Sequence, residues 1–292
     1  MIWYLLYFAP LAIAIYYVIK PEKKDKRIKG KNILIIGGSS GLGFSFVKIL
    51  TNQGNLVTGT SRDAEYVQQK NEEGSYRFMV LDVCDESTFE RRETEYDYIF
   101  YCTGLSRPGQ YENRTTDDFI ISINTNYLGM IKVLKHYSIV NKKPFDFIMI
   151  GSTLALFPMV GYSTYSPTKS AMLSFFYSTY DEFKKRDIKL HLFNPSNMQT
   201  RGFQRENKLK DQYNIQLESI FNIYSPEDCA KHFLEHINTR KVIVMDFFTY
   251  LCQIRYECEK IIDYFMFPLA VIVVCFSKLM TRLYYKFFFS KD

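Results

Sequence analysis

Between residues 32 and 246, short apolar runs alternate with longer stretches in which apolar residues recur at helical spacing. The short runs predict buried strands and the longer stretches predict amphipathic helices. Strands that alternate with helices in this way are typical of an α/β domain with a doubly wound parallel sheet. The predicted strands cover residues 32–37, 55–60, 76–81, 97–102, 146–151, 188–193 and 241–245. The predicted helices cover residues 41–53, 63–71, 85–94, 116–140, 162–186 and 226–238.

The N-terminal end of the chain lies outside this alternating pattern. Residues 1–19 contain no charged side chain, and a helix of that length would span about 28 Å, close to the thickness of the hydrocarbon layer of a membrane. A cleaved signal peptide would carry basic residues before its apolar run, and a buried core helix would be amphipathic. We therefore expect a transmembrane anchor at residues 1–19. The basic linker at residues 20–31 would then face the cytosol.

The C-terminal end is a second apolar region, and we expect residues 247–292 to be membrane-associated. An uncharged run of 14 residues covers positions 264–277 and contains Pro268. Runs this short are more often interfacial or re-entrant than spanning. A membrane-embedded hairpin or an interfacial helix is the favoured interpretation. A second full span is the alternative, and it would place Asp263 near the bilayer surface.

Composition and charge narrow the function classes. The chain of 292 residues is 47% hydrophobic and 23% charged, which excludes an intrinsically disordered protein. Its net charge of +6 is concentrated in residues 20–31, so the rest of the chain offers no basic surface for nucleic acid. The six cysteines show no paired short spacing and are interpreted as reduced thiols.

A glycine-rich turn follows the first predicted strand directly and opens the first helix. Glycines permit a tight turn and let backbone N–H groups approach a pyrophosphate at a helix N-terminus. An ordinary strand-to-helix turn is the competing interpretation, but the position of the turn in the first βα unit favours a dinucleotide site. The candidate cofactor residues of this turn are Gly37, Ser39, Ser40, Gly41, Leu42 and Gly43.

Two further positions indicate which dinucleotide binds. Arg62 follows the second predicted strand, where an acidic residue would bind a ribose 2′-hydroxyl and an arginine suits a 2′-phosphate. This favours NADPH, although a solvated loop arginine beside Asp63 is an alternative. Asp82 ends the third predicted strand, where its carboxylate can accept a hydrogen bond from the adenine amine. Its alternative role is the N-cap of the helix predicted at residues 85–94.

Tyr165 and Lys169 carry the strongest chemical signal. They are spaced i, i+4 and share one helical face. A phenol with its ordinary pKa of about 10 is a poor acid–base catalyst near pH 7, and an adjacent ammonium favours the phenolate and lowers that pKa. Ser152 lies 13 residues earlier at the end of a predicted strand, and Asn126 lies in the long predicted helix.

With these motifs, residues 32 to about 245 resemble a short-chain dehydrogenase/reductase of the classical type, which implies a Rossmann-type fold. The resemblance implies that Asn126, Ser152, Tyr165 and Lys169 are the catalytic tetrad. Tyr165 would protonate the substrate oxygen, and Lys169 would lower the Tyr165 pKa and hold the nicotinamide ribose. Ser152 would hydrogen-bond the carbonyl oxygen, and Asn126 would hold the water that resupplies the proton. Beyond the glycine turn, the implied cofactor contacts are Arg62, Asp82, Val83, Gly104, Tyr165, Lys169, Pro195 and Thr200.

The chain departs from the family pattern at three positions. Ile36 stands where a threonine usually precedes the glycine turn, and Tyr101 stands where the N-N-A-G motif has its first asparagine. Ser196 replaces the glycine that usually follows Pro195. The first two departures affect local hydrogen bonds and no proton-transfer group.

Within that family, the glycine turn and the segments 126–129, 154–162 and 195–203 are most similar to 3-ketodihydrosphingosine reductases. This similarity implies a sphingolipid-synthesis reductase in the endoplasmic reticulum membrane, with its catalytic domain facing the cytosol. Its partners would be a lipid ketone and membrane lipid, and a homo-oligomer stays open. A very-long-chain 3-ketoacyl-CoA reductase and a steroid dehydrogenase are the alternatives. In this family, residues 154–162 and the segment after Pro195 would border the substrate, and both are largely apolar, so we expect them to form a wall that suits a hydrocarbon chain. They lack the cluster of Lys or Arg that coenzyme A phosphates would need.

One motif points to a different class of enzyme. His232 and His236 fit the H-x-x-E-H pattern of an inverted zinc protease. The segment begins with Ser225 and Pro226, which together form a typical helix start. We interpret it as a packing helix before the last strand and expect no metal site.

Overall fold

The computed structural model describes residues 28–289, and for residue 289 only the backbone. The anchor predicted at residues 1–19 and most of the predicted linker lie outside the described residues. Within them the chain forms one parallel sheet of seven strands in the order β3-β2-β1-β4-β5-β6-β7. The strands are β1 (Asn32–Ile36), β2 (Leu56–Ser61), β3 (Arg77–Val80), β4 (Tyr98–Tyr101), β5 (Phe145–Ile150), β6 (Ile188–Asn194) and β7 (Val242–Val244). The parallel sheet and all seven predicted strands are confirmed.

Two apolar layers cover the two faces of the sheet, because successive side chains of a strand point to opposite faces. In β1, Leu34 and Ile36 enter one layer, whereas Ile33 and Ile35 enter the other. All four are fully buried. A near-continuous apolar strand is therefore needed here, as in other parallel sheets that are covered on both faces.

The helices that the structure describes are α1 (Gly41–Asn52), α2 (Ala64–Glu72), α3 (Thr116–Ile123), α4 (Gly129–Val140), α5 (Thr153–Leu156), α6 (Ser166–Lys184), α7 (Arg201–Asn207), α8 (Gln212–Glu218), α9 (Pro226–His236), α10 (Phe247–Tyr256) and α11 (Ile261–Phe289). The helix predicted at residues 116–140 is present, but a π-helical turn at Asn124–Leu128 separates α3 from α4. Short 3₁₀ turns cover Glu86–Thr88 and Tyr111–Asn113.

The helix predicted at residues 85–94 is wrong. Only a 3₁₀ turn forms there, because side-chain oxygens take the backbone donors that a helix would need. The Asp82 carboxylate accepts the Cys84 N–H (2.9 Å), and the Asp85 carboxylate accepts the Ser87 N–H (3.0 Å). Asp82 therefore caps no α-helix.

The C-terminal region forms a single helix. Residues 261–289 make up this continuous helix, α11, which includes Pro268. The membrane-embedded hairpin is therefore wrong, whereas the interfacial helix and the second span stay predictions. Asp263 lies in a buried pair with Arg240, with both guanidinium-to-carboxylate distances at 2.7 Å, so its side chain is enclosed in the domain.

One face of α11 packs on the domain along the whole helix. Met266, Ala270 and Val274 recur at helical spacing and are fully buried. Further along, the Tyr213 ring contacts Tyr284 at 5.4 Å between ring centroids. The opposite face exposes large apolar side chains, namely Ile261, Tyr264, Phe265, Phe267, Val271, Ile272, Phe276, Leu279, Met280, Leu283 and Phe287.

Candidate active site

The strand order reverses between β1 and β4, so a crevice opens at the carboxyl ends of these strands, where ligands bind in open α/β sheets. The glycine turn lies there. Gly37 and Gly41 have φ angles of 77° and 54°, which glycine adopts without strain. A Cβ atom on Gly43 would lie 2.2 Å from the Gly37 carbonyl oxygen, so the turn closes only without a side chain.

The N-terminus of α1 is free to meet an anion. Ser40 occupies the N-cap position without a side-chain capping bond, and the first turn holds no acidic residue. Thr200 approaches from the loop after β6, since a Cβ on Gly41 would lie 3.1 Å from its methyl group. The turn therefore fits a dinucleotide pyrophosphate, with Thr200 beside it.

The departure at Ile36 is compensated nearby. Ile36 is fully buried in the core, and the Gly37 N–H donates to the hydroxyl of Thr60 on β2 (3.2 Å). The Thr60 hydroxyl on the neighbouring strand therefore holds the glycine turn, so the turn needs no hydroxyl at position 36.

Arg62 lies exposed at the end of β2 and makes no hydrogen bond or ion pair with any residue that the structure describes. Its neighbour Asp63 is occupied as the N-cap of α2, where it accepts the Tyr66 N–H (3.1 Å). The Tyr66 hydroxyl donates to the Ser39 carbonyl (3.2 Å), which joins α2 to the glycine turn. The guanidinium is thus unpaired within the described chain and available to an anionic ligand group.

Asp82 and Val83 follow β3 and lie with the glycine turn at the carboxyl edge of the sheet. One carboxylate oxygen of Asp82 is held by the Cys84 N–H, and its side chain is half-buried. The Val83 side chain is buried in the core, so only its backbone could meet a cofactor. The fold therefore leaves the second Asp82 oxygen and the Val83 backbone for the predicted adenine contacts.

Tyr165 and Lys169 meet as their spacing predicts. Tyr165 is the N-cap residue of α6, and Lys169 lies one turn further along. The buried Lys169 ammonium donates to the Ile150 carbonyl (2.7 Å) and lies 5.6 Å from the centre of the Tyr165 ring. Ser152 follows β5 as the N-cap of α5, where its N–H donates to Asn194 Oδ1 (3.0 Å) and its hydroxyl accepts the Leu154 N–H (3.1 Å).

The protonation of this pair differs from the sequence-based expectation. Burial raises the pKa of Tyr165 above 10.0, the Glu206 carboxylate raises it further, and a hydrogen bond with Ser152 offsets part of that rise. Burial also lowers the pKa of Lys169 from 10.5 to about 8. The Tyr165 pKa is thus raised and not lowered in this structure, because burial and the Glu206 carboxylate both disfavour the phenolate. The phenol is protonated at neutral pH, as a proton donor must be.

Asn126 lies in the π-helical turn and is fully buried. Its Oδ1 accepts the Leu105 N–H (2.7 Å), and its Nδ2 donates to the Leu105 carbonyl (2.8 Å) and to the Thr168 hydroxyl (3.0 Å). Gly104 lies beside the Lys169 side chain, since a Cβ atom on Gly104 would lie 3.7 Å from Lys169 Nζ. The Asn126 side chain therefore joins the loop after β4 to α6.

The two other departures from the family pattern also have structural partners. The buried Tyr101 hydroxyl donates to the Thr125 carbonyl inside the π-helical turn that carries Asn126. The Ser196 hydroxyl donates to the Asp246 carboxylate at the start of α10. The Pro195 carbonyl accepts the Thr153 N–H (3.2 Å), so the loop after β6 is tied on both sides.

Sequence reasoning missed a polar cluster next to Tyr165, which we call the Glu206 cluster and which consists of Tyr162, Glu206, Lys210 and Glu218. The Tyr162 hydroxyl contacts both carboxylates, and Lys210 Nζ lies 3.0 Å from Glu206 and 2.6 Å from Glu218. Tyr162 was predicted as part of an apolar substrate wall at residues 154–162. Only the i, i+4 spacing of Glu206 and Lys210 could have signalled the cluster, and that spacing is common on solvated helices.

The apolar stretch itself divides between core and cavity. Ala155, Leu156 and Phe157 are buried in the core, so they line no substrate space. A cavity of about 320 Å³ lies beside the rest of the stretch. Its lining includes Pro158, Met159, Val160, Tyr162, Ser166 and, from α11, Tyr285.

The two histidines of the H-x-x-E-H pattern donate to backbone carbonyls on and beside α9. His232 Nε2 donates to the Val244 carbonyl (2.8 Å), and His236 Nδ1 donates to the His232 carbonyl (2.7 Å). Across residues 28–289, no three His, Cys, Asp or Glu side chains converge as a metal site would require.

Comparison with known proteins agrees with this geometry. The short chain dehydrogenase family model matches residues 31–211. The 3-ketodihydrosphingosine reductase of Debaryomyces hansenii is 29% identical over 239 residues, which cover 72% of this chain and 73% of the relative. The 3-ketodihydrosphingosine reductase of Dictyostelium discoideum is 25% identical over 287 residues, which cover 87% and 86% of the two chains.

A solved structure shares the fold. The short chain dehydrogenase/reductase from Burkholderia phymatum, solved in complex with NAD, has a TM-score of 0.63 and 15% identity, over 79% of this chain and 94% of that one. The family model covers more than half of the chain, and the parallel sheet has the strand order of a doubly wound domain. The chain therefore belongs to the short-chain dehydrogenase family of oxidoreductases.

Proposed function

We propose that this protein reduces 3-ketodihydrosphingosine to dihydrosphingosine with NADPH, at the membrane where sphingolipids are made. The observation that carries the proposal is the meeting of Ser152, Tyr165 and Lys169 in a chain whose curated relatives bear that reductase name over most of their length. The relatives supply the substrate, and the site supplies the chemistry.

The cofactor assignment follows from the residues that fit it. NADPH, when bound, supplies the hydride for the carbonyl carbon. The glycine turn and the uncapped N-terminus of α1 would hold its pyrophosphate, and Arg62 would face its 2′-phosphate. Asp82 would accept from the adenine amine. Lys169 and Tyr165 would hold the nicotinamide ribose, and Pro195 and Thr200 would border the nicotinamide end.

The proton comes from the chain itself. Tyr165 would donate its phenolic proton to the oxygen of the ketone, while the Ser152 hydroxyl holds that oxygen in place. A raised Tyr165 pKa keeps the donor protonated at neutral pH before reaction. The ammonium of Lys169 would then stabilise the phenolate that is left.

We further propose that α11 lies along a membrane surface. Among the described helices it alone is long and apolar enough to cross a membrane. However, one face packs on the domain from Asp263 to Tyr284, and a helix fixed in this way cannot also span the bilayer. Its exposed apolar face fits insertion at the interface, with Arg282 and Lys286 near lipid headgroups.

The location also depends on the chain before residue 28. With residues 1–19 as an anchor and the basic linker on the cytosolic side, the reductase domain would face the cytosol from the endoplasmic reticulum. A long-chain ketone could then keep its chain in the bilayer while its head reaches Tyr165.

Purified, detergent-solubilised protein offered three ketones tests the substrate. We expect NADPH oxidation with 3-ketodihydrosphingosine to exceed that with a 3-ketoacyl-CoA or a ketosteroid. Preference for either of the other two would keep the reaction type and reject the proposed substrate.

Depth-dependent quenching by brominated lipids tests the position of α11. Single-cysteine proteins would carry a fluorophore at Phe265→Cys, at the native Cys275 or at Leu283→Cys, all on the exposed face. Equal, shallow quenching at the three sites supports an in-plane helix, whereas a graded depth indicates a span. A label at Glu73→Cys, exposed at the end of α2, is the unquenched control.

A further inference from the structure

The Glu206 cluster carries more negative charge than its own lysine can balance. All three hydrogens of the Lys210 ammonium have acceptors, since Nζ lies 2.8 Å from Asn207, 3.0 Å from Glu206 and 2.6 Å from Glu218. Two carboxylates face this one cation, and the only other donor is the Tyr162 hydroxyl. Burial raises the pKa of Glu218, and the hydrogen bonds from Lys210 and Tyr162 offset part of that rise. When both carboxylates are ionised, one negative charge has no counterion within the described chain.

That charge is available on Glu206. The Lys210 and Glu218 side chains are 1% and 7% exposed, whereas Glu206 is 17% exposed. Only Oε1 of Glu206 is bound by Tyr162 and Lys210, and Oε2 has no hydrogen bond with any described residue. Glu218 is thus the enclosed counterion of Lys210, and Glu206 is the carboxylate that a ligand can reach.

The accessible carboxylate lies beside the catalytic tyrosine. The rings of Tyr162, which binds Glu206, and Tyr165 lie 6.5 Å apart between centroids. The Glu206 charge is close enough to raise the pKa of Tyr165. A substrate group next to the carbonyl that Tyr165 protonates would therefore be within reach of Glu206.

A second observation points to a polar ligand on this side of Tyr165. Tyr162 also lines the 320 Å³ cavity, together with Ser163 and Ser166. Both serine hydroxyls are enclosed and have no hydrogen-bond partner among the described residues, and Ser166 as a whole is buried. Buried hydroxyls are normally paired, so two unpaired ones at one cavity indicate that a ligand supplies the partners.

We infer that Glu206 binds the cationic amino group next to the ketone of the substrate and thereby selects amino ketones over uncharged or anionic ones. This inference rests on the proposed function. 3-Ketodihydrosphingosine carries a protonated amine on the carbon adjacent to its ketone, so a substrate held by Tyr165 and Ser152 presents that amine close by. A carboxylate-to-ammonium contact is a charge-assisted hydrogen bond, stronger than a neutral one.

The test compares 3-ketodihydrosphingosine with its analogue that lacks only the amine, 1-hydroxyoctadecan-3-one. For the native protein we expect kcat/KM to favour the amino ketone by about 10- to 100-fold, the size of one hydrogen bond to a charged group. Glu206→Gln keeps the shape of the side chain and should remove most of that preference. The analogue should change by less than about threefold.

Two further variants separate recognition from structure. Glu206→Asp keeps the charge and should keep the preference for the amine. Glu218→Gln leaves Glu206 as the only carboxylate beside Lys210, so the preference for the amine should shrink without being lost, because the Glu206 carboxylate itself remains. NADPH binding, followed by fluorescence, should be the same in all folded variants.

The outcomes are distinguishable. Equal losses with both ketones in Glu206→Gln would reduce Glu206 to a structural counterion of Lys210 and overturn the inference. Absence of any preference in the native protein would also overturn it. Failure of the native protein to reduce 3-ketodihydrosphingosine at all, while it reduces another ketone, would instead reject the proposed function.

Discussion

The two sides of Tyr165 are built in different ways. On the cofactor side, the contacts come from backbone groups and from residues close together in sequence, such as the glycine turn and Lys169. On the substrate side, the contacts are between side chains that are far apart in the chain. Tyr162 meets Glu206 and Glu218, which lie 44 and 56 residues later.

This difference decides what a sequence can reveal. Recognition by backbone N–H groups requires glycines at fixed spacing, so it leaves a motif. Recognition by paired side chains requires only that two distant segments fold together, and no spacing records it. The proposed reaction is therefore readable from local motifs, whereas the proposed substrate selection depends on α7 and α8, which no pattern predicted.

The largest effect is expected where the two sides meet. Tyr165→Phe removes the proton donor and keeps the ring, so turnover should fall by about 10²- to 10⁴-fold. Binding of NADPH and of the ketone should weaken only slightly, because each loses one of several contacts. Steady-state kinetics and cofactor titration measure both, and near-native turnover would remove Tyr165 from the mechanism.

A smaller effect should be confined to the cofactor side. Arg62→Ala should raise the KM for NADPH by about 10-fold or more, the size of a lost charge-assisted hydrogen bond. The KM for the ketone and all parameters with NADH should stay the same, since NADH lacks the 2′-phosphate. Equal losses with both cofactors would make Arg62 structural and contradict the NADPH assignment.

The buried charge of Lys169 is expected to lower the free energy of unfolding. Its pKa of about 8 lies below the ordinary 10.5, so burial of the charge destabilises the fold fully below pH 8 and progressively less as pH rises towards 10.5. Lys169→Met should abolish activity yet stabilise the protein by about 1–2 kcal/mol at pH 7, after the loss of the Ile150 bond. Chemical denaturation at pH 7 and pH 10 measures the difference in unfolding free energy between Lys169→Met and the native protein. If the stability gained by the variant is as large at pH 10 as at pH 7, the charge argument is contradicted.

The smallest effect is expected at Tyr101, behind the cofactor side. Tyr101→Phe removes the hydrogen bond to the Thr125 carbonyl and should cost about 1 kcal/mol of unfolding free energy. If that bond also positions Asn126, then kcat should fall severalfold with KM for the ketone unchanged. Tyr98→Phe, at the start of the same strand, is the matched control, and an equal change in kcat there would rule out the positioning role.

The sequence alone determined the sheet and the cofactor half of the site. Seven apolar runs gave seven strands, because a strand covered on both faces must be continuously apolar. The glycine turn, Arg62, Ser152, Tyr165 and Lys169 were found from position and spacing. These features are local, so the chain displays them before it folds.

Only the tertiary structure decided the features that depend on distant partners. The segment at residues 85–94 reads as a helix, but Asp82 and Asp85 use their carboxylates on its backbone instead. The apolar run after residue 261 reads as a membrane hairpin or an interfacial helix, and the structure forms a continuous helix with one face bound by Arg240 and the core. The protonation of Tyr165 and the exposure of Glu206 were decided in the same way, because burial and opposing charges exist only once segments far apart in sequence are packed together.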